Sequence, residues 1–287
     1  MANITIIGAG GQLGRALQQL APMHAVHQWR FLSHSELDIT DIDSLKALFK
    51  QSEINYLINC AAYTAVDRAE KEIEEAYALN GTAVKYLGEY CEQTDTHLIH
   101  FSTDYVYGGR YNEPISEDAA TAPAGVYGAS KLAGESHILP HATVIRTSWL
   151  YSNYGHNFVK TMLRLGRERD QLSVVYDQIG SPTLADDLAA VVLNMIEAVE
   201  SGDLALDQLQ GLFHFSNEGV ASWYDFAQAI FRATDIACDL SPIRSAEYPT
   251  PASRPAYSVL DKTKIKSLLK IEIPHWHESL LRMLNFK

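Results

Sequence analysis

Tyr127 and Lys131 stand four residues apart in Tyr127-Gly128-Ala129-Ser130-Lys131, so a helix there sets a phenol and an ammonium on one face. A phenol of pKa near ~10 is a reluctant acid–base group, and a lysine charge beside it favours the phenolate. That pairing suits carbonyl reduction, in which a nicotinamide gives hydride to carbon and the phenol gives a proton to oxygen. The lysine also suits the nicotinamide ribose. Phe101-Ser102-Thr103-Asp104-Tyr105-Val106-Tyr107 ends a predicted strand, where open α/β sheets place their ligands. A hydroxyl from Thr103, ahead of Ser102, completes a carbonyl-polarising set with Tyr127.

A second chemistry-bearing run is Gly8-Ala9-Gly10-Gly11-Gln12-Leu13-Gly14, spaced Gly8-x-x-Gly11-x-x-Gly14. Glycines there permit a tight turn, a close approach to a pyrophosphate and tight helix packing. A diphosphate then meets the free N–H groups and dipole of a helix N-terminus. The run follows a strand and opens a helix, which is the context that makes it a dinucleotide turn. Downstream, His27-Gln28-Trp29-Arg30-Phe31-Leu32-Ser33-His34 has no carboxylate to meet an adenine-ribose 2′-hydroxyl. Arg30, Ser33 and His34 predict a modest preference for NADPH, with NADH also possible. Asp38-Ile39 is expected to flank the adenine.

These groups need a scaffold. Strand-like segments at Asn3–Ile7, His24–Phe31, Tyr56–Ala61, His97–Phe101 and Thr143–Arg146 alternate with helical Leu13–Leu20, Asp41–Lys50, Leu79–Cys91 and Tyr127–Leu139. The alternation predicts an α/β fold: a Rossmann-like doubly wound parallel sheet with a smaller C-terminal α/β substrate lobe. The expected division is 1–150 for the NAD(P)-binding domain, with later segments returning to it, and 151–287 for the smaller lobe. In that lobe Phe158–Arg169, Asp186–Glu200, a segment opened by Ser222 and His277–Leu284 read as helices. Leu172–Tyr176 and Leu212–Phe215 read as strands, and proline-rich Ser241–Pro255 as mostly loop.

Composition limits the alternatives. The 287 residues are 47% hydrophobic and 20% charged, enough for a core and unlike a disordered chain. A net charge of −12 argues against nucleic-acid partners and anionic membranes. Cys60, Cys91 and Cys238 lack C-x-x-C spacing and read as reduced buried thiols. With no signal-like or membrane-spanning run, a cytoplasmic location is expected. His275-Trp276-His277-Glu278 reads as surface helix rather than a metal cluster.

Seven blocks in order carry a resemblance. They are Gly10-Gly11-Gln12-Leu13-Gly14, Cys60-Ala61-Ala62-Tyr63-Thr64-Ala65-Val66-Asp67, Ser102–Tyr107, Tyr127-Gly128-x-Ser130-Lys131, Arg146-Thr147-Ser148-Trp149, Asp177-Gln178-x-Gly180-x-Pro182-Thr183 and Arg254-Pro255-x-x-Ser258-x-Leu260. Together they resemble the extended short-chain dehydrogenase/reductase family, in its branch acting on dTDP-linked keto-sugars. The resemblance implies NADPH-dependent reduction of a C4 ketone to give dTDP-L-rhamnose. It implies Tyr127, Lys131 and Thr103 as catalytic residues, and Gly8, Gly11, Gln12, Leu13, Asp38, Ile39, Ala62, Tyr63 and Thr64, with Tyr127 and Lys131, at the cofactor. Thr103, Asp104 and Trp149 would meet the sugar nucleotide, with Arg254 on its diphosphate.

Some members join dimers through magnesium on glutamates, one of them at the position of Ala16 here, so no metal is expected and the chain is a monomer or homodimer. The alternatives are a nucleotide-sugar epimerase with retained NAD, another sugar-nucleotide reductase, or an NADP-binding regulatory subunit of the methionine adenosyltransferase type.

Overall fold

β-Branched Ile4-Thr5-Ile6-Ile7 favours an extended, doubly covered segment, and β1 (Asn3–Ile7) lies inside a six-stranded sheet. The computed structural model describes residues 1–139 and 141–285; the last two residues of the expected second lobe lie outside them. With β2 (Gln28–Leu32), β3 (Tyr56–Asn59), β4 (His97–Thr103), β5 (Thr143–Thr147) and β6 (Gly211–His214), the sheet runs β6-β5-β4-β3-β1-β2. Every pairing is parallel. The chain leaves β1 toward β2 and then returns to β3, so the winding reverses between β1 and β3. A ligand crevice opens at such a reversal, at the carboxyl ends of the strands. The expected doubly wound class holds.

Helices α1 (Gln12–Leu20), α2 (Ile42–Gln51), α3 (Ala83–Gln93) and α4 (Val126–Ile138) cover the sheet. Later in the chain come α5 (Phe158–Glu168), α6 (Ala185–Glu200) and α7 (Trp223–Ala233). Leu17 of α1 packs with Leu188 and Val192 of α6 under Ile4 and Ile6, while Leu45, Val84, Leu87 and Ile138 cover the other face with Leu57 and Leu98. Each such buried aliphatic side chain stabilises the fold by about 1.5–3 kcal/mol. The position that a metal-linked dimer would need, Ala16, is itself in this core.

A third core joins Tyr151, Val159, Met162, Phe226, Ile230 and Trp276 beneath the paired strands Gln171–Val175 and Asp239–Ile243. Helix α7 opens on a capping box: Ser222 Oγ accepts the Asp225 N–H at 3.0 Å, and Asp225 accepts the Ser222 N–H at 2.9 Å.

Four local readings change. The second strand starts at Gln28, because Ala21–His24 with Pro22 forms a tight 3-10 turn. A π-turn, Ala78–Thr82, interrupts the helix expected from Leu79. Pro242 falls inside Asp239–Ile243, which is tolerated because that strand pairs on one side only. Trp276 is buried rather than on the surface.

Candidate active site

All seven residues of β4 are buried, and the strand delivers Thr103 to the carboxyl edge of the sheet. There Thr103 Oγ1 accepts the Tyr105 N–H at 3.3 Å and donates to Asp104 Oδ1 at 3.1 Å. Helix α4 passes close by: a Cβ on Gly128 would lie 2.5 Å from the Tyr105 carbonyl oxygen, so only glycine lets the two backbones meet. The contact sets the Tyr105 and Tyr127 rings edge to face, 5.4 Å apart. Tyr127 and Thr103 are thereby brought together, with Lys131 one turn along the same helix.

The electrostatics differ from the expectation. Burial pushes the Tyr127 phenol up to about 12, partly opposed by the Thr103 hydroxyl and reinforced by the Asp104 charge. Lys131 does not draw it down, because its Nζ turns to His100 Nε2 at 3.3 Å. Burial lowers Lys131 to about 8, with Glu135 acting against the shift. A phenol so placed keeps its proton at neutral pH, which is the state a proton donor must hold.

The glycine turn is built as a cradle. Gly8 has φ +71, and a Cβ there would lie 2.5 Å from the Ala61 nitrogen; one on Gly14 would lie 2.6 Å from Ala9 Cα. Gly10 and Gly11 by contrast face open space or only the Gly8 carbonyl. Helix α1 has no side-chain cap, and among the described residues the N–H groups of Gln12 and Leu13 have no acceptor. An uncapped N-terminus over a bare turn fits a diphosphate.

Only the backbone of Gln12 faces the cradle: its Oε1 accepts from Ser152 Oγ and Asn157 Nδ2, both at 2.9 Å. Leu13 and Ile39 are buried, and Asp38 accepts from Thr40 at 2.9 and 2.7 Å. Ala62, Tyr63 and Thr64 follow β3 along the same edge, where Tyr63 N–H donates to Asn80 Oδ1 at 2.9 Å.

Arg30 does not line the hollow beside the turn: its Nη1 donates to Ser52 Oγ at 2.6 Å, just past the end of α2, while its charge still acts on Glu36 there. The cation beside the turn is Arg15, whose Nε donates to the Gly10 carbonyl at 3.1 Å and whose guanidinium lies over the Tyr154 ring. Arg15, Ser33 and Glu36 line an open hollow there.

On the other side of the crevice Trp149 takes φ +49, a left-handed conformation unusual for a bulky residue. Trp223 covers one of its faces at a ring separation of 3.5 Å, and a Cβ on Gly180 would lie 2.7 Å from Trp149 Cε2. Gly180 is therefore what the indole requires of its motif. Beyond lies a cleft of about 820 Å³ lined by Phe158, Met162, Val175, Trp223, Tyr248 and Arg254. The Arg254 fork, expected on a phosphate, grips Asp67 at 2.9 and 2.7 Å, tying this lobe to the loop after β3.

Burial pushes the Asp104 carboxyl up to about 6 against the hydroxyls of Ser258 and Thr103, and its Oδ2 is buried without a partner. Its folded pKa exceeds 3.8, so the stability it contributes is complete below about pH 4 and is lost as pH rises through 6. Asp104→Asn is therefore expected to stabilise the protein by about 2–3 kcal/mol at pH 8 and by less at pH 5. Urea unfolding at the two pH values measures the difference.

Two contributors escape sequence reading. Asn80, in the π-turn, donates from Nδ2 to the Tyr63 carbonyl at 3.0 Å and to Ser130 Oγ at 3.1 Å, joining the loop after β3 to α4. Trp223 backs Trp149 from 74 residues away. Neither has a local motif to mark it. Among the described residues no group of three His, Cys, Asp or Glu side chains is placed to hold a metal ion.

A family model described as the RmlD substrate binding domain matches residues 2–286. The dTDP-4-dehydrorhamnose reductase of Aggregatibacter actinomycetemcomitans is 42% identical over 289 residues, covering 98% of this chain and 97% of the relative. The crystal structure of a dTDP-4-dehydrorhamnose reductase from Clostridium acetobutylicum matches with a TM-score of 0.91 at 38% identity, over 99% of this chain and 98% of that one. The Bacillus anthracis reductase, solved in complex with NADP, matches with a TM-score of 0.91 at 37% identity over the same shares, 99% and 98%.

Proposed function

This chain belongs to the RmlD substrate-binding-domain family, and we propose from that membership that it reduces the C4 ketone of dTDP-4-dehydro-L-rhamnose with NADPH, giving dTDP-L-rhamnose. The observation that carries the reading is one shared edge: Thr103, Tyr127 and Lys131 lie along the same crevice as the uncapped start of α1.

NADPH, when bound, supplies a hydride to C4. The free N–H groups of Gln12 and Leu13 would hold its diphosphate, Asp38 and Ile39 its adenosine, and Ala62, Tyr63 and Thr64 the wall beside it. Thr103 Oγ1 would donate to the carbonyl oxygen by turning its proton away from Asp104 Oδ1, and the neutral phenol of Tyr127 gives that oxygen its proton. Lys131, deep beneath, orders the ribose side. Asp104 and Trp149 would meet the sugar, and the cleft beyond Trp149 would take the nucleotide. Arg254 reaches a phosphate only by sharing its fork with Asp67.

Arg15 takes over the role first expected of Arg30. A 2′-phosphate in the hollow beside the turn would meet its guanidinium, while Glu36 already occupies the Ser33 N–H and hydroxyl at 2.8 and 2.6 Å. That competition keeps the preference for NADPH modest. Losing one charged hydrogen bond costs about 1.5–3 kcal/mol, so Arg15→Ala is expected to raise the NADPH KM roughly 10–100-fold. The NADH KM should stay within about twofold, and Arg30→Ala should change neither. Initial-rate kinetics with the two cofactors measures this.

The three cysteines are unpaired, which suits a reducing cytoplasm. The reading as a whole is tested by following NADPH on addition of dTDP-4-dehydro-L-rhamnose. Stoichiometric oxidation supports it; a nucleotide sugar that isomerises with no net oxidation would make the protein an epimerase.

A further inference from the structure

Behind Lys131 lies a residue that carbonyl reduction does not obviously need. His100, on β4, is fully buried, with Asn59 of β3 on one ring nitrogen and Lys131 on the other. The proton on that ring is fixed by a chain of hydrogen bonds. Asn59 Oδ1 accepts the Ala61 N–H at 3.0 Å, so the amide can turn only one way and its Nδ2 faces His100 Nδ1, 3.0 Å off. A donor facing Nδ1 requires a lone pair there. Burial, reinforced by the Lys131 charge, holds the imidazole well below its ordinary pKa, so the ring is neutral and its one proton sits on Nε2. Nε2 is the atom 3.3 Å from Lys131 Nζ.

An ammonium has three donors and no acceptor, whereas a neutral amine has a lone pair. Facing an N–H, the neutral amine is the better partner. The opposing charge nearest Lys131, Glu135 one turn along the same helix, is committed to Arg146 of β5, which donates to it at 3.0, 3.2 and 2.5 Å. Asn59 is uncharged, and Tyr127 carries its proton. Among the described residues, Lys131 thus has no dedicated counter-ion.

We propose that His100 is a positioning residue whose Nε2–H, set against Lys131 Nζ, disfavours the ammonium and supports the neutral amine, so that Lys131 can give up a proton during turnover. The step balances. Tyr127 gives its proton to the C4 oxygen and becomes phenolate; a bridging water then passes one proton from Lys131 Nζ to the phenolate oxygen, restoring the phenol. The new lone pair on Nζ accepts the His100 Nε2–H, and water returns a proton to the amine before the next cycle. This rests on the reading of Tyr127 and Lys131 as the reacting pair.

Two measurements on the full chain with NADPH test it. In NMR of ¹⁵N,¹³C-labelled protein, with the His100 ring assigned by through-bond correlation to its own backbone, the ring is expected as the neutral Nε2–H tautomer. A Nδ1–H tautomer or an imidazolium would overturn the proposal. In the pH profile of kcat, the wild-type alkaline limb is expected near Lys131's value of about 8. His100→Gln offers a carbonyl that accepts from the ammonium, so the limb should move up by about one pH unit. An unmoved limb in a folded variant would overturn it; if the variant does not fold, the tautomer alone decides. Failure of the Tyr127 reading shows separately, as a Tyr127→Phe variant that keeps turning over.

Discussion

Tyr127→Phe is expected to lower turnover by roughly 10²–10⁴-fold while leaving NADPH affinity within about twofold. The substitution removes one hydroxyl from a ring that the fold holds by other means. Its edge-to-face contact with Tyr105 at 5.4 Å survives, and Ser130 bonds the Tyr127 backbone carbonyl at 2.9 Å rather than the phenol. Helix position and crevice shape are therefore kept, and only the proton is lost. Because burial holds the phenol up near 12, it is fully protonated across the neutral range. The loss should accordingly be flat from pH 6 to 8. Single-turnover rates read the chemical step, and quenching of NADPH fluorescence reads binding. A variant turning over at the wild-type rate would remove Tyr127 as the acid.

Glu135→Ala is expected to destabilise the protein by about 3–5 kcal/mol. Glu135 and Arg146 are both almost entirely buried, and three hydrogen bonds join them. Arg146 also donates to Tyr107, whose hydroxyl meets His214 Nε2 at 2.7 Å. The pair thus ties α4, which carries Tyr127 and Lys131, to β5 and β6. Removing the carboxylate leaves a guanidinium in the core with the phenol of Tyr107 as its main partner, and the cost is that of an uncompensated buried charge. Replacing both residues, Glu135→Leu with Arg146→Met, should recover most of the stability, since neither charge then remains. Guanidinium unfolding of the single and double variants measures both. A single variant within 1 kcal/mol of wild type, on the scale of an exposed pair, would show the bridge to be energetically minor.

What could be read along the chain was what lies close together in it. Gly8 to Gly11 sit in one turn with Gly14 at the start of the helix it opens, and Tyr127 and Lys131 one helical turn apart, so their residue types and spacing suffice. Arg30 reads in the sequence only as a charge near a strand end; its side chain bonds Ser52, while Arg15, which the spacing does not single out, bonds the Gly10 carbonyl beside the turn. Lys131 was expected to acidify Tyr127, but that presumes the ammonium faces the phenol. It faces His100, 31 residues earlier. Asn80, Trp223 and the Asp67–Arg254 tie were beyond reach for the same reason: each joins segments that only the folded sheet and its lobes bring together. The first core was legible from alternating strands and helices. Helix Thr263–Leu269 was not: Ile265, Leu268 and Leu269 stand at i, i+3 and i+4, but seven residues give fewer than two turns of that pattern.

The most direct test of a tyrosine-assisted hydride reduction at C4 uses NADPH deuterated on the transferable position of the nicotinamide. With dTDP-4-dehydro-L-rhamnose, one deuterium per molecule should appear at C4 of the sugar, matched by one NADPH oxidised. Oxidised cofactor with no deuterium in the sugar, or a sugar changed at another carbon, would contradict the account.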